Sequence, residues 1–116
     1  MNPNVLAEKS FDFAVRIVKL HKYLKKEFDK YILSKQIVRS GTAIGALIME
    51  SEYGSSKKDF TAKLAISLKE ANETRYWLRL LHKTDYLQMK MFNSLNNDCI
   101  ELIKMLTASI KTSKSR

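Results

Sequence analysis

The chain has 116 residues, a length that suits one folded domain and leaves no room for a second independent core. Apolar residues make up 45% of it and charged residues 28%, the composition of a folded soluble protein rather than of a disordered tail. Because it has only 3 Gly and 1 Pro, it lacks the turn residues that a sheet of short strands needs. The composition therefore predicts a few long helices with short connections.

The charge balance is strongly basic, since 21 Lys and Arg face 12 Asp and Glu and give a net charge of +9 with neutral histidines. Such a surface attracts polyanions, and an acidic protein, an anionic membrane or a nucleic acid would each be drawn to it. Nucleic acid is the usual partner when Lys and Arg are in excess on a compact domain. The plainer interpretation is that the charge serves solubility alone.

Cys99 is the single cysteine, so no disulfide can form within the chain and a secreted fold stapled by disulfides is excluded. Residues 1–9 lack the apolar run of a signal peptide. No stretch approaches the roughly 18 consecutive apolar residues of a membrane-spanning helix. We therefore expect a cytoplasmic protein with no membrane partner.

Two amphipathic helices are predicted in the first half of the chain, at about residues 6–28 and 31–53. Their apolar positions recur every three or four residues, as on the buried side of a helix. These positions are Leu6, Phe13, Ile17, Leu20 and Leu24 in the first helix, and Leu33, Ile37, Ile44 and Ile48 in the second. Gly54 would cap the second helix, and residues 54–56 would form the turn that follows it.

Two further helices are predicted at about residues 57–84 and 90–110, followed by a basic, frayed tail at 111–116. Ser56 and Asp59 suit the start of the third helix, since a serine side chain can accept from a free amide and a carboxylate favours the positive helix end. The predicted seams are Phe60, Leu64, Ser67, Ala71, Thr74, Leu78 and Leu81, then Phe92, Leu95, Cys99, Leu102, Ile103, Leu106 and Ile110. The simplest fold is all-α, an antiparallel up-down-up-down four-helix bundle made by residues 1–116 as one domain.

The sequence offers no residues for catalysis. A di-iron site in a helical bundle needs Glu-x-x-His, but Val18 and Arg79 stand three residues before His21 and His82. With one cysteine no zinc site is recognisable, Cys99 has no histidine near it in sequence, and no glycine-rich loop precedes a helix. We expect no enzymatic activity, no metal and no cofactor, and structural or surface roles for both histidines.

Two segments, residues 35–45 and 56–78, are too particular to belong to an arbitrary bundle. They resemble the second and third helices of the 23S rRNA intervening-sequence protein family, and the resemblance extends over essentially the whole chain. The matching residues are Gln36, Arg39, Ser40, Ile44, Glu50 and Glu73. The chain departs from the family pattern at Ala43, Leu47 and Ser51, so a site that depends on the usual Ser and Asn of relatives cannot be carried over.

The resemblance implies a homo-oligomer, because members of the family form a ring-like pentamer of antiparallel bundles. It also implies a relationship to the accessory variability determinant of diversity-generating retroelements, a pentameric bundle that binds nucleic acid and partners a reverse transcriptase. The family name describes where its genes lie and not a biochemical activity.

The motif region also suggests where helices meet. Gly41 and Gly45 form a flat strip that favours close approach of another helix, either of another subunit or of the same chain. Arg39 is predicted to pair with Glu73, the alternative being a solvated charge of little value. We assign the family motif and assembly to Gln36, Arg39, Ser40, Gly41, Ile44, Gly45, Glu50, Glu70, Glu73 and Trp77.

The leading functional hypothesis is a non-enzymatic, pentameric accessory protein that binds RNA or DNA with little sequence specificity. The alternative is a scaffold for a partner enzyme such as a reverse transcriptase, with no direct contact to nucleic acid. A role at a membrane surface is the weakest option, because the apolar side of the first helix is needed for the core. The candidate nucleic-acid-binding residues are Arg16, Lys19, Lys22, Lys26, Lys30 and Lys35.

Overall fold

The computed structural model describes residues 3–28 and 32–115, and it is all-α, as the sequence predicts. Within those residues there is no strand. The four helices are α1 (Pro3–Phe28), α2 (Ile32–Glu52), α3 (Lys57–Lys83) and α4 (Met89–Lys114). None of the helices in these ranges is both long and apolar enough to cross a membrane.

The helices surround one core. Neighbours in sequence pack together, and α4 also packs on α1, whereas the described parts of α1 and α3, and of α2 and α4, make no close backbone contact. Each helix therefore turns one side inward, as the apolar spacing predicts. The largest fully buried side chains include Phe13, Ile17, Leu24, Ile37, Ile44, Leu64, Leu78, Leu87, Leu102 and Leu106.

The start of α3 follows its predicted chemistry. The Ser56 hydroxyl accepts a hydrogen bond from the Asp59 amide at 3.1 Å, so it replaces a partner that the first turn of a helix lacks. Along α3 the heptad positions from Leu64 to Leu81 are buried. One of them, Ser67, donates to the carbonyl of Ile44 on α2 at 2.9 Å. Small polar residues in the seam thus bond to the neighbouring helix.

The end of α2 differs from the prediction. No described glycine has a positive φ, so Gly54 does not cap α2 in the left-handed conformation. Its amide donates to the Ser51 carbonyl at 3.2 Å. A β-carbon at Gly54 would lie 3.2 Å from that oxygen and 3.3 Å from the Phe60 amide nitrogen. The glycine is therefore needed for close backbone approach between the end of α2 and the start of α3.

Within residues 3–28 and 32–115, the residue in the left-handed conformation is Asp85, with φ of 69°. It follows α3, where the Asp85 amide donates to the His82 carbonyl at 3.1 Å and the Tyr86 amide donates to the Leu81 carbonyl at 2.9 Å. This pair of hydrogen bonds is the Schellman arrangement, which satisfies carbonyls that the last turn of a helix leaves free. An aspartate occupies the position that glycine usually takes.

The helix ends correct two expectations. Helix α1 begins at Pro3, before the predicted start at Leu6, since proline is favoured in the first helical turn. Helix α4 continues to Lys114 rather than fraying after Ile110. The added turn is held because Ser113 is buried and its hydroxyl lies 2.5 Å from that of Thr61 on α3.

Candidate functional site

Four of the motif residues meet on the outer side of α2 and α3. The guanidinium of Arg39 lies 3.2 Å from a carboxylate oxygen of Glu70 and also forms an ion pair with Glu73. The indole nitrogen of Trp77 donates to the same Glu73 oxygen at 3.2 Å. We call Arg39, Glu70, Glu73 and Trp77 the motif cluster. The predicted pairing of Arg39 with Glu73 is present, and it joins two helices of one chain.

The charges in the motif cluster reinforce one another. The hydrogen bond from Arg39 is the main reason that the pKa of Glu73 lies below its usual value, and the indole of Trp77 lowers it further. The same hydrogen bond raises the pKa of Arg39. The Arg39 side chain is 51% exposed and that of Glu73 is 31% exposed, so solvent screens the pair and limits its contribution to stability.

Other motif residues support the same pair of helices. Glu50 forms an ion pair with Lys63 of α3 at 3.1 Å, so Arg39 and Glu50 each bind α3 and not each other. Ser40 is buried, and its hydroxyl lies 2.8 Å from that of Thr74 on α3. Ile44 is fully buried in the core, whereas Gln36 is exposed.

Gly41 and Gly45 are explained by packing within the chain, the second of the two alternatives. A β-carbon at Gly41 would lie 2.9 Å from two side-chain carbons of Ile17 on α1. At Gly45 it would lie 3.3 Å from the Ser10 hydroxyl and 3.4 Å from Ser10 backbone atoms. The two glycines therefore let α1 approach α2.

The three departures from the family pattern fall on two kinds of position. Ala43 and Leu47 are half-buried on α2. Ser51 is buried and donates to the carbonyl of Ile48 at 2.6 Å, so its hydroxyl is satisfied inside α2.

The six cations predicted to bind nucleic acid differ in their surroundings. Arg16 donates to Asp98 at 2.6 Å and to the Ser94 hydroxyl at 2.9 Å, so it links α1 to α4. Three others, Lys19, Lys22 and Lys26, are exposed on α1, and Lys35 is exposed on α2. The sixth, Lys30, lies outside the described residues.

Sequence reasoning overlooked a larger set of cations on α3 and α4. All are exposed, and none forms an ion pair with a described residue. A helical-wheel plot of each helix, at 100° per residue, would have found these cations, because on the wheel they fall on a different side from the carboxylates of the same helix. We call this set the α3–α4 basic face: Lys58, Lys69, Arg75, Arg79 and Lys83 of α3, and Lys104, Lys111 and Lys114 of α4.

The histidines and the cysteine have structural partners. A ring nitrogen of His21 lies 3.0 Å from the Ser34 hydroxyl, and one of His82 lies 2.8 Å from the Leu87 carbonyl. The Cys99 thiol is buried and donates to the Ala71 carbonyl at 3.2 Å. Burial raises the pKa of Cys99 to about 12, so the sulfur stays protonated and is a poor nucleophile at neutral pH.

Comparison with known proteins identifies the family of the chain. A comparison with curated proteins finds no significant match. Among solved structures, the chain is similar to a protein of unknown function from the S23 ribosomal protein family of Bacteroides thetaiotaomicron. The two chains are 52% identical and superpose with a TM-score of 0.94, over 96% of this chain and 99% of the other. The family described as 23S rRNA-intervening sequence protein matches residues 4–108, and neither description names an enzymatic activity. Because that match extends from α1 into α4 and so over most of the chain, the chain belongs to the 23S rRNA-intervening sequence protein family.

Proposed function

We propose that the chain is a non-enzymatic, homo-oligomeric accessory protein that binds nucleic acid through a basic surface with little sequence specificity. The observation that carries the proposal is the separation of charge. The carboxylates Glu50, Glu70, Glu73, Asp98 and Glu101 are paired with cations of neighbouring helices. Most exposed lysines and arginines among the described residues form no such ion pair with a carboxylate. With a net charge of +9, the surface presents cations available to phosphates.

The antiparallel, up-down-up-down course of the helices is part of the proposal. It is supported by contacts whose sequence numbers rise along one helix and fall along its neighbour. On α2 and α3 these contacts are Ser40 with Thr74, Ile44 with Ser67, and Glu50 with Lys63.

A ring-like homo-oligomer, with a pentamer favoured, is also proposed. A ring needs two different surfaces on each copy, since the contact repeats head to tail. One candidate is the apolar stripe of α1, where Phe11 is 68% exposed and Val15 and Val18 follow on the same side. The other is the outer side of α2 and α3 around the motif cluster, where Ile66 is 45% exposed. Exposed apolar residues in such stripes are typical of protein interfaces.

The binding experiment titrates the purified chain with a fluorescent nucleic acid at several salt concentrations. We expect an affinity of roughly micromolar or weaker at physiological salt, which falls steeply as salt rises because bound phosphates release counterions. Binding that ignores salt, or that is absent even at low salt, would contradict the proposal. Absence of binding by the chain alone would favour the alternative, a scaffold for a partner enzyme such as a reverse transcriptase.

The assembly experiment measures solution mass for the wild type and for two variants. We expect the wild type to have several times the 13.4 kDa mass of one chain, five times for a pentamer. Phe11→Asp should shift it toward the single-chain mass, because the aspartate places a charge in the contact. Met89→Asp is the matched control, since Met89 is 58% exposed on another helix. A wild type that is a stable monomer would refute the assembly.

A further inference from the structure

The carboxylates of α3 and α4 all lie toward other parts of the chain. Glu70 and Glu73 bind Arg39 on α2. Asp98 and Glu101 bind cations of α1 at 2.6 and 2.9 Å. The remaining one, Asp59, accepts a hydrogen bond from Ser55 in the turn before α3. Among the described residues of these two helices, the outer side between α3 and α4 therefore holds cations without interspersed carboxylates.

Contacts between α3 and α4 bring those cations together. Thr61 meets Ser113 near one end, and Cys99 meets Ala71 near the middle. At the first of these points a shallow groove is lined by Lys57, Lys58 and Lys114 together. Farther along α3, Arg75 is close enough to α4 for its charge to act on the Cys99 thiol. The two contacts place Lys104, Lys111 and Lys114 of α4 beside the first half of α3, whereas the cations of α3 extend along most of that helix.

We propose that the α3–α4 basic face binds the phosphate backbone of a double-stranded nucleic acid, a proposal that rests on the function proposed above. From Lys58 to Lys83 the helix rises about 38 Å, at 1.5 Å per residue. That length matches about eleven base pairs, since phosphates of one strand are about 3.4 Å apart along the axis of a duplex. A row of cations along one rigid helix, joined over about half its length by cations of a second helix, suits a ligand that is itself stiff and evenly charged.

The composition of the face favours a duplex over a single strand. Proteins that bind single strands stack successive bases on aromatic side chains. Among the described residues of this seam, Tyr76 is the exposed aromatic, at 56%. The other exposed polar groups include the amides of Asn72, Asn93 and Asn97, which can hydrogen-bond to phosphates. Such contacts position a duplex without reading its sequence.

The lysines of α1 form a weaker surface for the same ligand. Glu8 and Asp12 are exposed on that helix, and Glu27 is exposed at its end. Phe11 and Val15 interrupt the charged side chains further. A duplex laid along α1 would therefore meet carboxylates and apolar groups, which oppose binding to phosphates.

The test compares two variants with equal loss of charge. One neutralises the α3–α4 basic face (Arg75→Gln, Arg79→Gln, Lys104→Gln), and the control neutralises α1 (Lys19→Gln, Lys22→Gln, Lys26→Gln). All six side chains are exposed, and circular dichroism verifies that both variants stay folded. The ligands are a 20-base-pair RNA duplex, a DNA duplex of the same length and one of the separated strands.

The logarithm of the affinity falls as the logarithm of the salt concentration rises, and each phosphate contact makes this slope steeper by about 0.9. We therefore expect the slope of the first variant to be shallower than that of the wild type by about 2 to 3. The α1 variant should keep the wild-type slope. Equal losses in the two variants would overturn the assigned face and leave nucleic-acid binding intact. A single strand that binds as tightly as both duplexes would overturn the duplex assignment. A wild type that binds none of the three ligands would instead refute the proposed function itself.

Discussion

Gly41 shows how one missing side chain lets two helices approach. Alanine there would place its β-carbon 2.9 Å from Ile17, a residue with no exposed surface. We expect Gly41→Ala to destabilise the fold by about 1–2 kcal/mol, since overpacking outweighs the roughly 1 kcal/mol gained in helix propensity. Gly45→Ala meets Ser10 at 3.3 Å and should stay within about 1 kcal/mol of wild type. Urea unfolding of both variants measures the difference, and equal stabilities would contradict the intrachain role.

Asp85 carries the strain at the end of α3, with φ of 69°. A left-handed residue with a β-carbon costs about 1–2 kcal/mol, and a carboxylate at the negative helix end adds to that cost. We expect Asp85→Gly to stabilise the fold by up to about 1 kcal/mol, the gain being reduced by the extra entropy of glycine in the unfolded chain. Thr84→Gly is the control, because Thr84 has φ of −98° and gains nothing from glycine. In thermal unfolding, the Tm should rise for Asp85→Gly and fall for Thr84→Gly.

At the scale of the elements, the ion pair of Arg39 with Glu73 binds α2 to α3. The pKa of Glu73 is lower in the folded state than in the unfolded state. The ion pair therefore contributes fully to folding stability above the pKa of the unfolded state, near 4.3, and this contribution is lost as pH falls through the pKa of the folded state. We expect Glu73→Gln to cost up to about 1 kcal/mol at neutral pH, a difference that closes below about pH 4. Unfolding free energies across this range measure it. Glu52→Gln is the control, since it removes an exposed carboxylate that forms no ion pair with a described residue.

At the scale of the whole molecule, Cys99 reports the opening of the core. Its thiol is buried, and its pKa of about 12 keeps it protonated, so reaction with iodoacetamide requires opening of the bundle. We expect negligible labelling of the folded protein at pH 7.5 and complete labelling in urea. The pKa of Cys99 is higher in the folded state than in the unfolded state. The folding stability that comes from the buried neutral thiol is therefore fully present below the pKa of the unfolded state, near 8.5, and is lost as pH rises toward 12. Rapid labelling under native conditions would show that the core is open.

Whole-molecule charge is divided between the two sides of the bundle. Ion pairs with α1 and α2 engage four carboxylates of α3 and α4, those of Glu70, Glu73, Asp98 and Glu101, which leaves the α3–α4 basic face available for a polyanion. The exposed apolar residues of α1 lie elsewhere and are available for a second copy of the chain. The two proposals therefore use different surfaces, and one experiment can fail without the other.

The sequence by itself determined the helices, the Ser56 cap and the motif residues, because periodicity and capping depend on residues a few positions apart. It also placed Arg39 and Glu73 correctly as partners, since both stood at recognisable motif positions. Only the tertiary structure decided that Gly41 faces Ile17, that Arg16 is bound by Asp98, and that α4 continues past Ile110 to Lys114. These outcomes depend on which helix lies opposite and at what height. The packing of the whole bundle determines which helices are neighbours and how they are aligned along their axes, and the residue pattern of a single helix does not contain this information.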